Sequence, residues 1–108
     1  MFQAHEIAMQ LITAIRPVVE AVAPRDKNLA SQLRRAATSA AANTAEGGKR
    51  VGGDRQHAFR IAAGEAAEAL THVRIAVAWG YVPESALAPV RALEDRLQAM
   101  LWRLRHGR

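Results

Sequence analysis

The residue types with the clearest capacity for chemistry form a polar stripe between positions 32 and 46 of this 108-residue chain. At 100° per residue its members fall within about 80° of one another on a helix. They are Gln32, Arg35, Ser39, Asn43 and Glu46. These groups, with Glu68 as a further member, could join helices or subunits by hydrogen bonds, or could line a groove for a polar ligand. We favour the first interpretation, in which the network fixes register rather than adding much stability.

Motifs for catalysis and metal binding are missing from the sequence. The run Gly47-Gly48-Lys49-Arg50 is not a nucleotide-binding phosphate loop, because Asn43 stands where a glycine is needed and no Ser or Thr follows the lysine. The chain has no cysteine and no Glu-x-x-His pair, and its four histidines are far apart in sequence. No activated nucleophile or acid–base pair accompanies the polar stripe. We therefore expect no enzymatic activity, no metal and no cofactor.

The charge balance points to a polyanionic partner. Fifteen Lys and Arg residues against ten Asp and Glu residues give a net charge of +5, and the segment 25–60 alone carries that excess. We predict phosphate contacts to RNA or DNA with little sequence preference. The candidate contact residues are Arg34, Lys49, Arg50, Arg55 and Arg60. The alternative is that the charge serves solubility and that the chain is a protein-interaction scaffold.

Four amphipathic segments must position these residues. Apolar side chains recur with a period of 3.6 residues, and Pro and Gly separate the segments, which predicts helices over about 4–22, 28–47, 55–79 and 84–105. Short connections between long helices favour antiparallel neighbours. The expected fold is an all-α, up-down-up-down four-helix bundle in one domain spanning 1–108. We expect Pro17 to kink the first helix, and residues 47–54, with four glycines, to form a loop or a frayed join.

The third segment is apolar on two sides. We assign its core stripe to Phe59, Ala63, Ala66, Leu70, Val73 and Val77. Opposite this stripe lie Ile61, Ile75 and Trp79, which we interpret as an interface between copies of the chain, with Trp102 as a further candidate. The alternative is an ordinary outer surface, since much of any protein surface is apolar. No apolar run is long enough for a membrane span or a signal peptide, so we expect a cytoplasmic location and no membrane partner.

Two segments resemble a known bacterial family. Residues 32–47 match the pattern Q-x-R-R-A-x-x-S-x-x-x-N-x-A-E-G, and residues 61–68 with the Gly80-Tyr81-Val82 exit match its third helix. This pattern is typical of four-helix-bundle proteins encoded in intervening sequences of large-subunit ribosomal RNA genes. Family members usually carry Ile or Val at the positions of Ala40 and Thr44, and Ser at the position of Glu65. Local packing or the polar network is expected to differ there.

The family resemblance also implies an oligomeric state and partner molecules, which the residues alone do not indicate. It implies a homo-oligomer in the form of a pentameric ring of bundles. The chain is also similar to the accessory variability-determinant protein of diversity-generating retroelements, which is basic, binds nucleic acid and partners a reverse transcriptase. A reverse transcriptase is therefore one protein partner to consider.

Overall fold

Four antiparallel helices make up the chain in the computed structural model, which describes residues 2–107. They are α1 (Gln3–Val22), α2 (Lys27–Lys49), α3 (Gly52–Ala78) and α4 (Leu87–His106), with a short 3-10 helix over Glu84–Ala86. Each helix packs against the next one along the chain, and α4 returns against α1. The predicted all-α four-helix bundle is confirmed, with overall extents of 43 × 22 × 21 Å. Within residues 2–107, none of the helices combines the length and the hydropathy that a membrane span requires.

One continuous core runs along the bundle axis. Its largest fully buried side chains include Phe59, Leu11, Ile15, Leu33, Leu97 and Leu101. Buried alanines line α2 and α3, the most extensively packed pair of neighbouring helices. Small side chains let two helix backbones approach closely, so the core of this pair is thin and the outer flanks of α2 and α3 lie near each other.

The buried face of α3 is rotated from the predicted stripe. Phe59, Ala66 and Val73 are buried as expected, but Ala63, Leu70 and Val77 are only half-buried. The alanines that complete the buried face are Ala58, Ala62, Ala69 and Ala76. The reason is that α3 contacts both α2 and α4, so the face between these two neighbours is the one removed from water.

One predicted interruption is wrong, and the predicted kink at Pro17 stays a prediction. Residues 47–54 do not form a glycine-rich loop: α2 continues to Lys49 and α3 begins at Gly52, so only residues 50 and 51 connect them. Gly52 has φ of 60°, a left-handed conformation that glycine adopts at no steric cost and that lets the chain reverse here. In α1 the helix continues through Pro17, which is exposed. The carbonyl that loses its donor to Pro17 lies on the solvent side, where water can replace the bond.

The two turns at the opposite end hold each other in place. Asp26 caps α2 by accepting a hydrogen bond from the Leu29 amide at 3.0 Å. Gly80, with φ of 78°, ends α3 in a Schellman motif, since its amide donates to the Val77 carbonyl and the Tyr81 amide to that of Ala76. The Tyr81 hydroxyl then donates to the second carboxylate oxygen of Asp26 at 3.2 Å. The Gly80-Tyr81 pair thereby ties the α3–α4 connection to the α1–α2 turn.

Candidate nucleic-acid interface and polar seam

Basic side chains are concentrated at one end of the bundle, where α1 and α3 begin and α2 and α4 end. We call this third of the bundle's length the basic end. At this end the Phe2 ring, just before α1, lies 6.1 Å from the Phe59 ring of α3, and the Gln56 amide of α3 donates to the Arg105 carbonyl of α4 at 3.4 Å. Its described basic residues are Lys49, Arg50, Arg55, Arg60, Arg103 and Arg105. Its described carboxylates are Glu6, Glu46 and Asp54. The basic end thus carries a net charge of +3 out of the chain's +5.

The predicted contact residues at this end differ in how free their charges are. Lys49 and Arg60 are exposed, and no ion pair joins either of them to a described carboxylate. Arg50 is exposed but forms an ion pair with Glu46 one turn earlier on α2. Arg55 lies 4.9 Å from the Phe59 ring centroid and donates to the Gly47 carbonyl at 3.2 Å. Arg55 therefore fastens α3 to α2 as well as adding charge.

The structure does not bring Arg34 to the basic end. Fifteen residues separate it from Lys49 on α2, which corresponds to about 22 Å along a helix axis. It lies instead beside a cleft of about 480 Å³ between α1 and α2. The cleft has apolar walls, including Ile12 and Val19, and an Arg16–Glu20 ion pair at its edge. Arg34 therefore belongs to a different surface.

The predicted contact set leaves out residues from α4 and an aromatic pair. Arg103 and Arg105 complete the basic end, and Trp102 stacks on His106 with ring centroids 4.4 Å apart. The spacing of four residues between Trp102 and His106 is the sequence signal for this pair, because such residues are neighbours on a helix surface. Trp102 is 56% exposed despite the stacking.

The predicted polar stripe on α2 divides into separate local groups along the outer seam between α2 and α3. The Asn43 amide donates to the Ser39 carbonyl at 3.0 Å and to the Ser39 hydroxyl at 3.1 Å. Arg35 reaches across to Glu68 on α3 at 3.8 Å, and Glu68 is also 3.2 Å from His72 Nε2. Arg35, Glu68 and His72 thus form one chain of contacts between the two helices.

The other members of the polar stripe form no hydrogen bond or ion pair with the Arg35–Glu68–His72 group within the described residues. Glu46 pairs with Arg50 on its own helix, and Gln32 is half-buried with no side-chain hydrogen bond to the described residues. Two further polar atoms in α3, Glu65 Oε1 and His72 Nδ1, are buried without a hydrogen-bond partner in the described structure. Glu65 is also the position at which the family pattern leads us to expect serine. Two buried polar atoms of this seam therefore lack hydrogen-bond partners within the described chain, and leaving them unpaired costs free energy.

The predicted interface residues of α3 differ in exposure. Trp79 is 69% exposed and Ile61 is 36% exposed, whereas Ile75 is half-buried and packs against the core of its own chain. Trp79 lies in the last turn of α3, where it forms the helix C-cap. The large apolar surface available to a neighbouring molecule on this face is therefore concentrated at Trp79.

One titratable group outside these surfaces is clearly perturbed. Partial burial of its phenol raises the pKa of Tyr81 above the ordinary 10.0, and the charge of Asp26 and the hydrogen bond to it act in the same direction. Arg25, whose guanidinium lies 5.1 Å from the ring centroid, lowers it in part. Within residues 2–107 no three His, Asp or Glu side chains are grouped as metal ligands would be.

The comparisons with known proteins agree with this architecture. The family model described as 23S rRNA-intervening sequence protein matches residues 2–103. The chain belongs to the 23S rRNA-intervening sequence protein family. The fold of this family member is similar to a crystal structure from Bacteroides thetaiotaomicron, described as a protein of unknown function from the S23 ribosomal protein family. The two align with a TM-score of 0.85 and 16% sequence identity, over 96% of this chain and 99% of that one.

The comparison with curated proteins returns no match. For this intervening-sequence protein, membership and structural similarity thus establish the family and the bundle. They assign no activity, because the structural neighbour is itself described as having unknown function.

Proposed function

We propose that this intervening-sequence protein is a non-enzymatic, cytoplasmic homo-oligomer that binds RNA or DNA through phosphate contacts at its basic end. The observation that carries the proposal is the gathering of six basic side chains from α2, α3 and α4 at one end of the bundle. The amide ends of α1 and α3 face the same way, and helix N-termini favour anions. Several copies in a ring would repeat this field and strengthen the attraction for a polyanion.

The assembly rests on a different surface. Trp79, together with Ile61, leaves apolar area exposed on α3, and the seam beside it holds the unpartnered Glu65 and His72 atoms. A second copy covering this face would remove the indole from water and could supply hydrogen-bond partners. A pentameric ring is the form that the family resemblance suggests.

The nucleic-acid proposal is tested by removing positive charge from the basic end and, in a separate control, from the opposite end of the bundle. In fluorescence anisotropy with a labelled RNA, the triple variant Lys49→Ala, Arg60→Ala, Arg103→Ala should bind more weakly, because three phosphate contacts are removed. A matched control carries the same loss of charge at the opposite end of the bundle. Its three exposed sites are Lys27, Arg74 and Arg91. Equal weakening in both triple variants would show that the basic end is not the binding surface.

The assembly proposal is tested by sedimentation. The wild-type chain should sediment as a multiple of 11.7 kDa at micromolar concentration, and Trp79→Ser should reduce that mass. The matched control is Met9→Ser on α1, which removes another exposed apolar side chain. A wild-type mass of one chain would contradict the proposal.

A protein-interaction scaffold or accessory subunit, for example of a reverse transcriptase, remains the second candidate. The exposed Trp79 face favours it, because that surface could receive a different protein instead of a second copy. Retention of one partner from a nuclease-treated lysate, with loss in the Trp79→Ser variant, would support it, provided that the purified wild-type chain binds no RNA.

A further inference from the structure

The outer face of α4 presents an exposed aromatic pair within the basic end. Trp102 and His106 stack with ring centroids 4.4 Å apart and an interplanar angle of 36°. The imidazole covers part of one indole face and so restricts the rotamers open to the indole, while 56% of the tryptophan surface stays open to solvent. An aromatic ring that is already oriented loses little entropy when a second ring stacks on it.

Hydrogen bonds between α3 and α4 set a basic residue of α3 at the level of this ring. Gln98 on α4 donates to the Ala63 carbonyl on α3 at 2.7 Å, and Gln56 on α3 donates to the Arg105 carbonyl on α4 at 3.4 Å. Trp102 lies one helical turn beyond Gln98, and Arg60 lies one turn beyond Gln56. Residues four apart share a helix face, so Trp102 and Arg60 flank the α3–α4 groove at the same level.

The two α4 carboxylates nearest this groove, Glu94 and Asp95, lie about two helical turns before Trp102, and the exposed Asp95 shares the outer face of Trp102 at about 10 Å along the helix axis. Glu94 is only 8% exposed and accepts a hydrogen bond from Gln98 at 2.8 Å, so it faces inward, two turns from Trp102. Arg60 is exposed, and Arg103 and Arg105 follow Trp102 within the next three residues of α4. The groove therefore combines an open aromatic face with positive charge.

We propose that this groove makes the basic end selective for single-stranded nucleic acid, with one unpaired base stacked on Trp102 and a neighbouring phosphate held by Arg60. This proposal rests on the phosphate binding proposed above and adds the class of strand. Every base has a face that can stack on an aromatic ring, whereas the bases of a duplex are already stacked inside it. A tryptophan on a convex helix surface can reach only a base that is free to turn outward.

The test compares three probes of stated composition with the full-length protein. They are a labelled twelve-nucleotide oligo-dT, an abasic strand of the same length and charge, and a twelve-base-pair duplex. One stacked base stabilises a complex by about 1–3 kcal/mol, so the wild-type protein should bind oligo-dT about 5- to 150-fold more tightly than the abasic strand. Trp102→Leu should lose that difference with its salt dependence unchanged, and Trp102→Phe should keep most of it.

A second readout does not depend on affinity differences between variants. In a Trp79→Phe background, Trp102 is the remaining tryptophan, and its fluorescence should be quenched by oligo-dT but not by the abasic strand. Equal affinity of the wild-type protein for both single strands, tighter binding of the duplex, or an unchanged Trp102→Leu variant would overturn the strand selectivity alone. Absence of salt-dependent binding to all three probes would overturn the proposed function itself.

Discussion

Gly47, the last residue of the matched family pattern, offers a sharp test of the packing between α2 and α3. It is buried in a helical conformation against the Phe59 ring. A Cβ atom placed on Gly47 would lie 2.5 to 3.0 Å from three ring carbons of Phe59, closer than carbon atoms can pack. The ring has little room to move, because it is fully buried and has Phe2 on one side and Arg55 4.9 Å from its centroid.

The expected effect of Gly47→Ala is a loss of stability despite the better helix propensity of alanine. Overpacking a filled core costs about 1–3 kcal/mol, whereas replacing glycine by alanine inside a helix contributes up to about 1 kcal/mol. We therefore expect the free energy of unfolding to fall by about 1–2 kcal/mol, with a Tm lower by about 5 °C or more. Gly64→Ala is the matched control, since a Cβ at that exposed position in α3 meets no atom within 4 Å. It should raise stability by about 0.5–1 kcal/mol.

Urea denaturation followed by circular dichroism measures both variants. Adding Phe59→Leu to Gly47→Ala should cost less than the sum of the two single changes, because the smaller side chain makes room for the new methyl group. If Gly47→Ala stabilises the protein as much as Gly64→Ala does, the close approach of Gly47 to Phe59 is not present in solution and the explanation is refuted.

Three further outcomes follow from the polar contacts. Absorbance at 295 nm should give the single tyrosine, Tyr81, a pKa above 10.0, and Asp26→Asn should lower it while keeping the α2 cap; an unchanged pKa would exclude the charge of Asp26 as a cause. Because the pKa of Tyr81 is raised on folding, its contribution to stability should be complete below about pH 10 and be lost as the pH rises through the folded-state pKa, which pH-dependent urea midpoints would show. Gln98→Leu should cost about 1–3 kcal/mol in urea denaturation, since it leaves the buried Glu94 carboxylate without that donor, and adding Glu94→Leu should restore much of the loss; no recovery would show that the two residues are not coupled.

The sequence predicts the four helices and their core faces well because large apolar residues recur on the buried side of each helix. Leu33, Val73 and Leu97 mark their helix faces clearly, and all three are buried. The rotation of α3 is not predictable in this way, because alanines at neighbouring positions such as Ala62 and Ala63 carry equal hydrophobic weight. Only the contacts that α3 makes with α2 and α4 decide which alanine is covered.

The sequence also does not predict that α2 continues beyond Gly47 to Lys49. Glycine disfavours helices locally, so the Gly47-Gly48 pair suggests a stop, but packing of Gly47 against Phe59 requires the absence of a side chain and carries α2 past both residues. The candidate site shows the same limit. Charge counting along the sequence grouped Arg34 with Lys49, whereas the fold separates them and brings Arg103 of α4 to the basic end instead.

The most direct test of the central claim is the salt dependence of binding to a single-stranded oligonucleotide. Each phosphate neutralised on a single strand contributes about −0.7 to the slope of log Kobs against log salt. Contacts through Lys49, Arg60 and Arg103 contribute about −2 to the slope for each bound subunit, and replacing all three by alanine should make the slope shallower by about that amount. A slope near zero for the wild-type protein, or one that the triple variant leaves unchanged, would contradict phosphate binding at the basic end.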